Sequence, residues 1–341
     1  MEADPSGARP AAARPRRSRR KALIHGAFAI VGLGALALLV RSVGPAALVA
    51  ALRSSARWLP VLLALEVGRV AMEALASRSL SARVRDRVSV AQLARVHVIS
   101  FAVCNVMPAG RAAGEAVKAA LLSRFVGAPE AAAIGTGNQA AALLGAAVVA
   151  LPCAIAAAWM TGSSPLTWAL VAFALATTAV TVAFQIACRR PDIGGALVRR
   201  FTRMEQAPAV FQDAIDRIPL VPVAATAAAV GSRVLLALEL AILLHAFSGS
   251  AGLGRTLLAL GVSMVGGAVG DFVPGQLGAS DGAFALAAPA LGISRADGVA
   301  VAMTLHVVQI ACGVFGATVP LWWKAAPARA ADDGEGLTAG G

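Results

Sequence analysis

Apolar segments of membrane length recur along this sequence, and they settle its class before any single residue is weighed. They run roughly over 22–40, 58–77, 90–107, 130–158, 165–187, 219–247, 254–272 and 296–323, with shorter helical segments at 111–125 and 279–291. A helix needs about 20 apolar residues to cross a hydrocarbon core of about 30 Å. Only 14% of the 341 residues are charged, against roughly 25% in a soluble domain. Mean hydropathy is +0.74. The chain is therefore expected to be an all-α polytopic membrane protein, with bilayer as its main solvent.

The net charge of +12 would also suit a nucleic-acid binder, but the basic residues collect in short segments between apolar runs, which is a topology signal. No nucleic-acid partner is expected. Cys104, Cys153, Cys188 and Cys312 lie far apart, without zinc-ligand spacing. No metal or cofactor is expected. The sequence has no Gly-rich P-loop, no H-E-x-x-H and no nucleophile elbow, so an enzyme is not expected either.

Residues 1–21 read as a disordered basic arm carrying "RPRRSRRK", residues 22–324 as one transmembrane domain, and residues 325–341 as a disordered tail. The segment 22–40 reads as an uncleaved first helix rather than a signal peptide. Residues 188–218 are polar with some helical periodicity and are expected at the surface. Basic residues cluster in the N-terminal arm (seven), from Arg78 to Arg95 (five) and from Arg189 to Arg217 (six). The positive-inside rule places all three clusters in the cytoplasm. Three apolar segments lie between the second and third clusters, an odd number, so one of them must fail to cross.

Pro108-Ala109-Gly110 supplies the failure. Proline removes a backbone donor and glycine permits a turn. Segment 90–107 then enters from the cytoplasm, and 111–125 returns to the same side as a re-entrant hairpin. The second half repeats the pattern. Pro274, Gly275 and Gly278 break the chain again, Pro274 aligns with Pro108, Asp281 falls on Glu115, and Arg233 falls near Arg69. The prediction is an inverted repeat, with repeat one over about 22–158 and repeat two over about 165–323. It has about six spanning helices plus two re-entrant helical hairpins, both termini being cytoplasmic. Inverted repeats with broken helices near the bilayer midplane are a transporter architecture.

Charged residues inside spans cost at least about 2.5 kcal/mol each on insertion scales. Glu66, Arg69 and Glu73 follow i+3 and i+4 spacing, so Arg69 can pair with both acids. They form either a self-neutralised structural cluster or the wall of a wet path. Arg233 and Glu239 lie on different faces of one helix and need partners from elsewhere. Arg111, Glu115 and Lys118 stack on one stripe. A half-helix starting near residue 111 presents free N–H groups and the positive dipole end, which attract an anion, and Arg111 can grip phosphate oxygens at two points. Lys118 fits a side chain snorkelling to cytoplasmic headgroups, whereas Arg111, beside the break, fits that poorly. Ser280 or Asp281 can act as a helix cap. Asn138, Gln139, His306 and Gln309 suit hydrogen bonding between helices, with His306 also open to a proton-relay role.

The stretches "PAGRAAGEAVKAALLSR" and "VPGQLGASDGAFALAAPALGIS" resemble the transmembrane domain of lysylphosphatidylglycerol synthases, which also defines a broad flippase-like family. The first motif is carried by Pro108, Gly110, Arg111, Gly114, Glu115 and Lys118, with Ala109 and Ala112-Ala113 altering its spacing. The second is carried by Pro274, Gly275, Gly278, Asp281 and Gly282. Members often carry charged residues where this chain has Asn138, Gln139 and Ala142. The soluble aminoacyl-transfer domain has no counterpart in this sequence, so lysyl transfer is not expected.

The resemblance implies translocation of an anionic or polyprenyl-linked lipid between leaflets of the cell (inner) membrane. Arg111 would hold the headgroup, Lys118 would draw it in, and Arg69 and Arg233 would extend the polar path. Glu115 and Asp281 would orient or compete for the basic groups. Membrane lipids are the expected partners, with lipid- or glycan-synthesis enzymes also open. The alternatives are an accessory subunit or intramembrane enzyme of lipid or glycan synthesis, and a small-solute transporter.

Overall fold

The computed structural model describes residues 41, 45–107, 110–199, 206–271, 273 and 276–323. The basic arm, the first apolar segment, the tail, and the turn residues Pro108, Pro274 and Gly275 lie outside the described residues. Within them all regular structure is helical. In chain order the α-helices are α1 (Pro45–Ser55), α2 (Leu59–Leu80), α3 (Ala82–Arg87), α4 (Val90–Val106), α5 (Gly110–Val126), α6 (Ala128–Thr161), α7 (Pro165–Arg189), α8 (Pro191–Arg199), α9 (Ala207–Arg217), α10 (Val223–Ser248), α11 (Leu253–Gly270), α12 (Ala279–Leu291) and α13 (Arg295–Trp322).

Local signals set these boundaries. Ser89 caps α4 reciprocally with Gln92, at 3.2 Å and 2.8 Å. Ser294 caps α13 in the same way with Asp297. Each cap satisfies helix N–H groups that have no partner inside the helix.

Among the described residues five helices, α6, α7, α10, α11 and α13, are long and apolar enough to cross a membrane. The 22 residues of α2 carry Glu66, Arg69 and Glu73 and are not among them. Large apolar side chains are exposed on the bundle's outer face, including Leu151, Trp159, Leu175, Val182, Val314 and Leu321. Such a surface is stable against lipid rather than water. The chain is a multi-pass membrane protein.

Close backbone approach holds the bundle. A Cβ on Gly145 would lie 2.9 Å from that of Ala229 on α10, and one on Gly316 would lie 2.3 Å from the Val98 carbonyl oxygen on α4. Helices in lipid associate through such small residues, because lipid tails offer no hydrophobic drive between helices.

Contacts define two ends of the bundle. At one end Gly137 meets Leu80 and Ile218, and Arg95 Nε donates to the Trp323 carbonyl at 2.7 Å. At the other end Trp58 packs edge-on against His245, and Gly254 faces Met160. The first end carries α3, α8 and α9, and is called the basic end here because Arg78, Arg85, Arg87, Arg189, Arg199 and Arg217 lie there. Helix α9 buries Phe211, Ala214 and Ile215 against the same core as Val84 and Ile134. Only one of its faces is at the surface, a narrower exposure than the polarity of 188–218 suggests.

Helices α4 and α5 form an antiparallel pair. Gly110 lies on Cys104 and Gly114 on Ser100, so the pair opens at the basic end and closes inward. Helices α11 and α12 form a second antiparallel pair. Gly270 lies against Ala279, Gly266 against Ala283, and Arg255 against Gly292. This pair opens at the opposite end.

Candidate functional site

Gly110 opens α5 in a place only glycine tolerates. An added Cβ would sit 1.8 Å from the Cys104 carbonyl oxygen, far inside van der Waals contact. Further along, Ser100 Oγ donates to the Gly114 carbonyl at 2.7 Å. The pair is thus closed tightly, and the first turn of α5, with its unpaired N–H groups, begins inside the bundle with Arg111 in it.

Arg111 borders a cavity of about 530 Å³ that is also lined by Glu115, Thr136, Gln139, Phe184 and Asp271. The walls are therefore α5, α6, α7 and the inner end of α11. Gly135 to Gln139 follow the start of α6 by seven to eleven residues, about 10 to 17 Å along the axis at 1.5 Å per residue. The cavity lies in the half of the bundle nearer the basic end. Asp271 brings the inner end of the second pair to the same cavity as Arg111. Gln276, which has a positive φ of 57°, donates from Nε2 to Asp271 Oδ1 at 3.3 Å.

Arg111 is exposed and makes no hydrogen bond or ion pair within the described structure. Arg233 on α10 is half-buried, also unpaired, and has Arg111, Arg69 and Glu73 as charged neighbours. The two guanidinium groups repel each other, with Glu73 as the acid beside Arg233 and Asp271 as the acid across the cavity from Arg111.

The remaining predicted residues divide into three groups. Arg69 reaches Glu66 on its own helix and lies 3.6 Å from Glu239 on α10. It pairs with Glu66 but, in place of Glu73, takes an acid from another helix. Glu239 thereby finds the external partner its position required. Lys118 is buried rather than snorkelling, at 3% exposure, and its Nζ lies 2.6 Å from Glu115 Oε1. Asn138 Nδ2 approaches the same oxygen at 3.5 Å. Asp281, fully buried, caps α12 by accepting the Gly278 N–H at 2.8 Å. Its Oδ2 also lies 3.4 Å from His306 Nε2, while Oδ1 is buried without a partner.

The cavity thus gathers Arg111 and Glu115, while Asp281 belongs to a separate closed site around His306. Asp271, Thr136 and Phe184 were not singled out in the sequence. Asp271 carried a signal, as an acid at the edge of an apolar run just before the second break. Phe184 carried none. Among the described residues no group of three or more His, Cys, Asp or Glu side chains is placed to hold a metal ion.

A multi-pass helical membrane protein with paired inner helices and a cavity bordered by Arg111, Glu115 and Asp271 is the class these features define. Residues 24–316 match the family described as Lysylphosphatidylglycerol synthase TM region. The chain belongs to that family, a membrane lipid-related one. Comparisons with curated proteins and with solved structures return no match.

Proposed function

We propose that this protein translocates an anionic or polyprenyl-linked lipid between membrane leaflets, with its phosphate-bearing headgroup held at Arg111. The observation that carries this reading is an unpaired arginine in the first turn of an inward-pointing helix, facing a cavity of about 530 Å³. That size falls within the range of small-molecule sites, roughly 300–1,000 Å³, and suits a headgroup without its tails. Phe184 on the cavity wall belongs to α7, whose outer face exposes Val180, Val182 and Ile186. Tails can then remain in lipid beside α7 while the headgroup sits inside. Arg233 is the next basic group for the anion, and the buried Lys118 acts by fixing Glu115 rather than by reaching the surface.

Paired contacts support the inverted-repeat reading. Helix α4 packs on α13 as α11 packs on α6, and α5 packs on α6 as α12 packs on α13. Each swap exchanges residues about 165 apart. The two helices carrying Arg69 and Arg233, α2 and α10, pack directly on each other. In this reading the two antiparallel pairs are re-entrant hairpins, and the basic end faces the cytoplasm of a cell whose inner membrane holds the protein. The protein acts as a transporter and not as an enzyme.

The test is exchange of a fluorescent phosphatidylglycerol between leaflets of proteoliposomes. A charged hydrogen bond contributes about 1.5–3 kcal/mol, so Arg111→Ala should slow exchange by about 10- to 150-fold while Arg111→Lys retains part of it. Exchange by Arg111→Ala at the wild-type rate would remove the headgroup role.

A further inference from the structure

Beyond the cavity, the seam between α2 and α10 leads toward the opposite end of the bundle through Glu73 and Arg233, then Arg69, then Glu66 and Glu239. The last two carboxylates are both fully buried. One guanidinium, that of Arg69, serves both. Glu66 Oε1 and both Glu239 carboxylate oxygens lack any hydrogen-bond partner, as does Arg69 Nε. Two buried carboxylates against one guanidinium leave one negative charge uncompensated, and an unpaired buried charge is costly.

The surroundings do not remove the imbalance. On α2 the further charged group is Glu73, another acid, which faces Arg69. On α10 it is Arg233, whose charged neighbours are Arg111, Arg69 and Glu73 rather than either buried carboxylate. His245 lies further along α10, against Trp58. From α13 the facing group is Cys312, from α4 Cys104 faces Glu73, and from α6 Cys153 faces Arg233.

We propose that Glu66 and Glu239 form a proton-binding site that carries one shared proton, and that its uptake and release drive lipid movement through the Arg69 seam. The pair ties α2 to α10, the two helices that correspond across the halves of the chain. With the proton, the cluster is neutral, one carboxyl no longer holds Arg69, and its guanidinium can turn toward an anionic headgroup passing from Arg111 and Arg233. Without it, both carboxylates hold Arg69 and the net negative charge turns the anion away. The coupling part rests on the lipid reading above, while the proton site stands independently of it.

Two measurements on the full chain separate the claims. In lipid nanodiscs, infrared difference spectroscopy of the wild type should show a protonated carboxyl C=O band at neutral pH that disappears in Glu66→Gln and in Glu239→Gln. Absence of the band, or its persistence in both variants, overturns the site. In proteoliposomes holding fluorescent phosphatidylglycerol, a pH gradient of one unit should shift the leaflet ratio by up to about tenfold for one proton per lipid. Glu239→Gln should abolish that shift. A wild type that exchanges lipid without responding to the gradient, or that responds to a sodium gradient instead, overturns proton coupling and leaves the lipid reading intact. A carboxyl band that behaves as expected without any lipid movement supports the proton site and removes the lipid reading.

Discussion

The α4–α5 and α11–α12 pairs use the same backbone device for opposite chemistry. Each brings a helix start into the bundle beside an acid at corresponding positions, Glu115 and Asp281. In the first pair that start carries Arg111, unpaired and open to a cavity, and the acid is occupied by Lys118 one turn further along. In the second pair the acid itself fills the helix start, capping Gly278 and meeting His306 in a buried site. One pair is open toward an anion while the other is already closed by an internal one. Under the proposed function, headgroup recognition belongs to the first pair and a structural, plug-like role to the second.

The largest effect expected from this contrast is at Glu115. Its removal leaves the buried Lys118 ammonium without a counter-ion, and breaking a buried pair costs about 3–5 kcal/mol. Glu115→Ala should lower unfolding stability by an amount of that order, read by denaturant titration in detergent micelles, and Glu115→Ala with Lys118→Met should recover most of it. Next comes Gly110. An added methyl meets the Cys104 carbonyl at 1.8 Å, whereas at Gly270 it meets the Gln276 Cβ at 2.9 Å. Overpacking costs about 1–3 kcal/mol, and Gly110→Ala should fall at or above the top of that range. Gly270→Ala should cost less, because its nearest contact of 2.9 Å needs a far smaller shift than the 1.8 Å contact at Gly110. Equal losses at the two positions would mean that the pairs are not closed in the manner described.

The smallest effect is expected from the cap. Asp281→Asn keeps an acceptor for the Gly278 N–H, so stability should change by only a few tenths to about 1 kcal/mol, within the usual span for exchanging capping residues. Asp281→Ala should cost more than Asp281→Asn. Neither should approach the effect of Arg111→Ala on lipid exchange. A larger loss of exchange at Asp281 than at Arg111 would reverse the assignment of the two pairs.

The helices were legible to within a few residues. Segments 90–107, 111–125 and 279–291 correspond to Val90–Val106, Gly110–Val126 and Ala279–Leu291. Their ends are written locally, by proline, glycine and capping serines, and do not wait on tertiary packing. Arg111 at an inward helix start was legible for the same reason, since the break sits immediately before it. Partner choice was not. Whether Arg69 takes Glu73 or Glu239 depends on the rotation of α2 against α10, and i+4 spacing cannot express that. The inward turn of Lys118 depends on how deeply α5 is packed, and Phe184 joins the cavity only through the placement of α7. The amphipathic face of α9 was hidden because a short helix with mixed polarity looks alike whether it lies on solvent or on a core.

The opposed entry of the two pairs is tested most directly by labelling single cysteines at their open ends. With the four native cysteines replaced, Arg124→Cys marks the end of α5 and Arg295→Cys lies just beyond the end of α12. In membranes of known orientation, a maleimide that does not cross the bilayer should label position 124 from the cytoplasmic side alone and position 295 from the opposite side alone. Labelling of both positions from the same side would contradict the account.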